Sequence, residues 1–117
     1  MPVFTLTTNV SKDKITDDLI SKISSAVAEV LHKPESYVVV HVIGGEHLSF
    51  GGESKAPAGS AVLKSIGGLG STKQNTDIAG FLFPIIEKSL GIKGNRLYIE
   101  FVNLSASAVA HNGQTFG

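Results

Sequence analysis

The apolar pattern of this chain runs through strand, helix and strand twice, and that repetition limits the fold more than any other feature. Val3-Phe4-Thr5-Leu6-Thr7 alternates as a half-buried strand does. Ile15, Leu19, Ile20, Ile23, Val27, Val30 and Leu31 then share one helical face, opposite Asp18, Lys22, Ser25 and Glu29. Thr16 or a neighbour is placed to cap that helix, with Asp17 and Asp18 in its first turn. Pro34 stops it, because the residue before a proline avoids the helical region. Residues 37–43 form a β-branched run that reads as a strand buried on both faces. The second pass has a strand over 60–66, a glycine-rich turn over 67–70, and a helix over 72–90. Ile78, Ala79, Leu82, Ile86 and Leu90 form the apolar face of that helix, and a strand over 97–104 follows. The helix exits also match: Leu31-His32-Lys33-Pro34 leads into Tyr37-Val38-Val39, and Leu90-Gly91-Ile92-Lys93 into Leu97-Tyr98-Ile99.

The expected fold is α/β of the α+β kind, a single domain over residues 1–117. Each β-α-β repeat supplies two parallel strands joined by a crossover helix. Together they make a four-stranded mixed sheet with two helices on one face. The other face is left bare, and the apolar run over 38–43 implies that another subunit covers it. The bridge over 44–59 is polar and glycine-rich, with a turn at Phe50-Gly51-Gly52. The tail over 108–117 is expected to add a short edge strand. Pro84 falls inside the second helical pattern and predicts a kink near Gly80–Pro84.

Composition removes several classes of function. Lys+Arg and Asp+Glu are ten each, so no net positive charge draws nucleic acid or an anionic membrane. Cysteine is absent, which excludes disulfides, thiolate nucleophiles and cysteine zinc sites. Hydrophobic residues reach 42% against 17% charged, a balance that favours buried interfaces. The N-terminal Met1-Pro2-Val3-Phe4-Thr5 has no basic stretch and no long apolar run, so a chain made in the cytosol without a signal peptide is expected.

Few residues offer chemistry. His32, His41, His47 and His111 stand at no metal-ligand spacing, and no metal or cofactor is expected. The Ser65-Ile66-Gly67-Gly68-Leu69-Gly70 turn precedes a helix and presents backbone N–H groups, a weak anion signal that a plain tight turn explains equally well. Pro2 is the unusual candidate. Removal of Met1 exposes a secondary amine at the start of a strand, and burial lowers the pKa of such an amine. A neutral amine near physiological pH is a competent general base.

An ordered set of short motifs runs along the chain. It comprises Pro2 opening a strand, Thr8-Asn9-Val10, Lys33-Pro34 with Tyr37, Leu48-Ser49-Phe50-Gly51-Gly52 and Ser65-Ile66-Gly67-Gly68. Arg96-Leu97-Tyr98-Ile99, and Asn112-Gly113 with Thr115-Phe116, complete it. This set strongly resembles the macrophage migration inhibitory factor family of the tautomerase superfamily, over the whole chain. The resemblance implies a homotrimer, with three sheets wrapped into a barrel and the helices outside. It implies keto–enol tautomerase activity, an isomerase reaction, on phenylpyruvate-like and dopachrome-like compounds, with the Pro2 amine moving the proton. Lys33 matches the lysine that pairs with the substrate carboxylate, Ile66 the backbone N–H that contacts substrate, and Tyr98 a tyrosine supplied by the neighbouring subunit. Tyr37, Val109 and Phe116 match pocket walls.

The sequence departs from the family pattern at four places. Glu100 stands where many members carry asparagine, on the same strand face as Tyr98. His111 replaces a frequent tryptophan, and Lys64 adds a cation beside the pocket turn. The stretch Ala58-Gly59-Ser60-Ala61 lacks the redox cysteines of some members. Some members are cytokines that leave cells without a signal peptide. The alternative reading is therefore a secreted, cytokine-like ligand of a cell-surface receptor with a vestigial pocket, found both in the cytoplasm and outside the cell.

Overall fold

The structure, a computed structural model, describes residues 1–117. Strand β1 (Pro2–Thr8) is followed by helix α1 (Asp17–Leu31), strand β2 (Val39–Ile43) and strand β3 (Gly59–Ser65). Helix α2 (Thr72–Leu90), strand β4 (Leu97–Asn103) and the short strands β5 (Ala110–His111) and β6 (Gln114–Thr115) complete the chain. The main sheet has the order β2-β1-β3-β4. Within each repeat the two strands are parallel, and the repeats meet through the antiparallel pair β1–β3, in which Phe4 faces Leu63 and Leu6 faces Ala61. This is the expected mixed sheet.

Strand alternation decides which face is covered. Pro2, Phe4, Leu6 and Thr8 of β1 and Ala61, Leu63 and Ser65 of β3 are buried. Against them pack Leu19, Ile23, Ala26, Val27 and Leu31 of α1, and Ile78, Leu82, Ile86 and Leu90 of α2. Both helices therefore lie on one face, as their i, i+4, i+8 spacing requires. Val3, Thr5 and Thr7 alternate onto the other face with Ser60, Val62, Lys64, Tyr98, Glu100 and Val102.

The helix ends follow their sequences. Thr16 caps α1 by accepting from the Leu19 N–H, and Ser71 caps α2 in a reciprocal pair with Gln74. Both helices end on a left-handed residue, Gly91 in the second repeat and His32 (φ 55°) in the first. A single 3-10 turn follows each end, Glu35–Tyr37 and Gly94–Arg96. Ile15 lies outside α1 and still packs on the core. The second helix runs unbroken through Pro84. The proline gives the Gly80 carbonyl no N–H partner, and both residues are exposed, so water can take that role.

Two expectations change. The run over 37–43 is not a strand buried on both faces within one chain. Tyr37 belongs to a 3-10 turn, and β2 is an edge strand whose Val39 is 52% exposed and His41 exposed. Val38, Val40 and Val42 pack on the core while the intervening side chains face outward. The tail adds no strand to the main sheet. It folds back on itself as a β5–β6 hairpin, because Asn112 and Gly113 both adopt positive φ (53° and 84°) and form a tight two-residue turn.

The bridge over 44–58 has little regular structure, yet two side chains from outside it hold it. The Asn9 amide donates to the Ser54 and Ala56 carbonyls and accepts from the Ala58 N–H. The Arg96 guanidinium donates to the carbonyls of Phe50, Glu53, Ala56 and Pro57, and pairs with the Glu53 carboxylate at 2.9 Å. Asn9→Ala leaves the N–H of buried Ala58 unpaired. It is expected to lower stability by about 1–3 kcal/mol in urea unfolding, the cost of an unsatisfied buried donor. Breaking the exposed Lys73–Asp77 pair with Asp77→Ala should cost less than about 0.5 kcal/mol.

Candidate active site

The N-terminus does not fray, because β1 is a central strand hydrogen-bonded on both sides. Pro2 is among the fully buried residues, its ring on the helix face beside Phe4. The backbone leads outward through Met1 into two adjoining cavities of about 270 and 220 Å³. Met1, Tyr37 and Phe116 line both. Val3, Val38, Val39, Val109, Ala110 and His111 wall the larger one, and Lys33, Pro34, Ile66 and Ala106 the smaller.

Each wall has a structural origin. The left-handed turn at His32 sends the chain back so that Lys33 leaves the end of α1 beside the β3 exit, where its ammonium donates to the Ile66 carbonyl at 3.0 Å. The 3-10 turn after Pro34 brings Tyr37 to the cavity mouth. The tail hairpin supplies His111 and Phe116, whose rings stack with an interplanar angle of 4°. Tyr37 meets both edge-on, at centroid distances of 5.9 and 6.0 Å. The Phe116 N–H donates to the Val109 carbonyl and ties the hairpin to its own root.

The electrostatics favour a neutral amine and an anionic guest. Desolvation, and then the positive charge of Lys33, hold the terminal amine at Met1 below its ordinary value of 8.0. No Asp or Glu lines either cavity. The buried Ser65 hydroxyl donates to the Met1 carbonyl at 3.5 Å, which places a polar group beside the bond whose cleavage frees Pro2.

Of the residues singled out in the sequence, Lys33, Tyr37, Ile66, Val109, His111 and Phe116 line the two cavities, and buried Pro2 adjoins them through Met1. Tyr98, Glu100 and Lys64 do not line these cavities within one chain. Lys64 pairs with Val3 in register but points from the open face. Glu100 and Tyr98 share that face, as expected. Tyr98 lies level with Ser60 while Pro2 lies level with Ser65, five residues along the strands or roughly 16 Å. Tyr98 instead packs on Phe50 beside a separate pocket formed by the bridge. Ser65, Val39 and Ser36 join the site without having been singled out for it. Their only sequence signal is position, next to Ile66 and on either side of the Tyr37-Val38 step.

The family model for macrophage migration inhibitory factor (MIF) matches residues 1–117. A macrophage migration inhibitory factor homolog of Trichuris trichiura is 47% identical over 116 residues, covering 99% of this chain and all of the relative. The macrophage migration inhibitory factor of Xenopus laevis is 39% identical over 116 residues, 99% of each chain. The solved structure of the Trichinella spiralis factor superposes with a TM-score of 0.93 at 43% identity, covering 97% of this chain and 99% of that one. With the whole length matched in sequence and fold, and the buried N-terminal strand opening on a pocket with Lys33 and Ile66, the chain belongs to the macrophage migration inhibitory factor family.

Proposed function

We propose that the protein is a cofactor-independent keto–enol tautomerase of aromatic α-keto acids, phenylpyruvate-like or dopachrome-like, with the amine of Pro2 as its general base. The observation that carries this reading is the place of the terminus. It is fixed by a central strand, partly desolvated, next to a lysine, and it opens on an apolar cavity free of carboxylates. Once Met1 is removed, the Pro2 nitrogen takes the proton from the carbon beside the substrate carbonyl and delivers it to the carbonyl oxygen to give the enol, and in the reverse direction it carries the enol proton back to that carbon. Lys33 holds the substrate carboxylate, the Ile66 N–H contacts the substrate, and Tyr37, Val109, His111 and Phe116 enclose the ring.

The working unit in this reading is a homotrimer. The open sheet face, with Val39 52% and Tyr98 70% exposed, supports it. A neighbouring copy supplies Tyr98 and Glu100 to the pocket, and the Glu100 carboxylate favours substrates whose far end donates a hydrogen bond. Light scattering on the purified protein should give three times the chain mass. A second role as a secreted signalling ligand rests on the family membership alone.

The test is turnover of phenylpyruvate by protein lacking Met1. Retaining Met1, or inserting an alanine before Pro2, should cost about 10²–10⁴-fold in kcat/KM, the usual worth of a positioned base. Pro2→Gly, which keeps an amine on a looser backbone, should fall between; equal rates for all forms would refute the proposal.

The sign of the pH dependence follows from the site. The neutral amine is the active form, so the rate rises with pH through the amine's pKa. Burial and the charge of Lys33, which lower the Met1 amine, should act on the Pro2 amine in the same direction, so the midpoint of the rise should lie below that of a solvent-exposed N-terminal proline. Lys33→Met removes one of those two causes. It should move the midpoint upward and raise KM as well, both readable from a pH–rate profile.

A further inference from the structure

The bridge over 44–58 is the longest segment outside regular elements, and its best-fixed point is Phe50. Gly51 and Gly52, at φ 61° and 84°, turn the chain so that Phe50 and Glu53 pair across a tight hairpin. Both N–H groups of this pair are satisfied, Phe50 to the Glu53 carbonyl at 2.9 Å and Glu53 to the Phe50 carbonyl at 3.2 Å. The Arg96 guanidinium lies over the Phe50 ring, 5.8 Å from its centroid, while donating to the four bridge carbonyls. Glu53 completes the clamp. Its carboxylate accepts from the Lys55 and Ala56 N–H groups and from Arg96, and these contacts hold it in the ionised form. Tyr98 also rests on Phe50, with ring centroids 5.0 Å apart. Tyr98 is 70% exposed, so little else within the chain restrains its ring.

We infer that Phe50, clamped by Arg96, is the positioning residue for Tyr98, setting the ring orientation that Tyr98 presents to a substrate in the pocket of the neighbouring copy. This rests on the reading of Tyr98 given above, but the contact itself belongs to the single chain. The guanidinium and the phenol ring both contact the Phe50 ring, the first by cation–π attraction and the second as an aromatic pair tilted at 48°. Arg96 and Tyr98 are two residues apart around the β4 start, and the bridge folds back to place Phe50 against both. The bridge thus acts on the substrate only through Tyr98.

The chain holds two tyrosines, Tyr37 and Tyr98, and no tryptophan. In a Tyr37→Phe background Tyr98 is therefore the sole strong intrinsic fluorophore, and time-resolved anisotropy reports its ring motion without any substrate. Phe50→Leu should add a fast depolarising component, and Arg96→Lys should add a smaller one. Circular dichroism serves as the control that the fold is kept, and Arg96→Lys decides this arm if Phe50→Leu does not fold. A Tyr98 ring equally immobile in the parent and in the folded variants would overturn the inference. In the kinetic arm, on the native background, Phe50→Leu should raise KM for phenylpyruvate about three- to tenfold, the scale of one lost aromatic pair. The midpoint of the pH–rate rise should stay fixed, and Phe50→Tyr should restore KM. A shifted midpoint, or KM effects of Phe50→Leu and Tyr98→Ala that simply multiply in the double variant, would overturn it. Absence of turnover in the parent protein would count against the tautomerase reading, and the anisotropy would still decide the role of Phe50.

Discussion

The structure depends on the antiparallel pairing of β1 with β3 at the centre of a sheet covered on one face only. That pairing joins the two repeats, and its register puts Phe4 opposite Leu63 and Leu6 opposite Ala61 beneath both helices. A slip of one residue would turn every one of these side chains to the open face. The same register fixes the position of the N-terminus to within one residue. A terminus at the end of an edge strand would fray. Here the first residue of a central strand is buried, and the chain before it can go only into the cavity.

The cavity inherits its character from that placement. Beside Met1 and Val3, its walls come from the α1 exit, the start of β2, the β3 exit, the root of the tail and the tail hairpin. None of these is a catalytic motif by itself. What they share is proximity to the terminal backbone at Met1, and in the proposed reaction the chemistry belongs to a backbone nitrogen rather than to a side chain. Lys33 disfavours a proton on the Met1 amine, and in the proposed reaction it also offers a partner to an acid.

Much of this was legible in the sequence because periodicity reports burial directly. The helices at 17–31 and 72–90, the four strands, the pairing of strands within repeats and the Phe50-Gly51-Gly52 turn all follow from local pattern. Of the ten residues that the motifs and their departures single out, six line the cavities at the terminus and Pro2 adjoins them. The failures have physical reasons. The run over 37–43 is rich in β-branched residues, which suit an edge strand as well as a buried one, and composition alone does not show that Val39 and His41 face outward. The tail was read as an edge strand because its residues suit β structure, whereas the Asn112-Gly113 turn gives it a local partner before it reaches the sheet. The clamp of Asn9 and Arg96 on the bridge was invisible, because side-chain to backbone bonds across more than 35 residues leave no periodic trace.

The matched helix exits of the two repeats have a geometric consequence. Because β1 and β3 run in opposite directions, the repeats are related by an approximate two-fold axis through the sheet, which carries Pro2 towards Gly59, Lys33 to Ile92, Tyr37 to Arg96 and Val39 to Tyr98. The pocket beside Gly59, Ser60 and Tyr98 is thus the image of the cavity beside Met1, Val3 and Val39. The scaffold forms a hollow at both ends, and what differs is the segment that leads into each strand. Ahead of β3 lies the bridge over 44–58, tied down by Asn9 and Arg96. Ahead of β1 lies Met1, whose carbonyl accepts from the Ser65 hydroxyl. The two hollows are distinguished by the segments that fill them, not by the architecture of strand and helix around them.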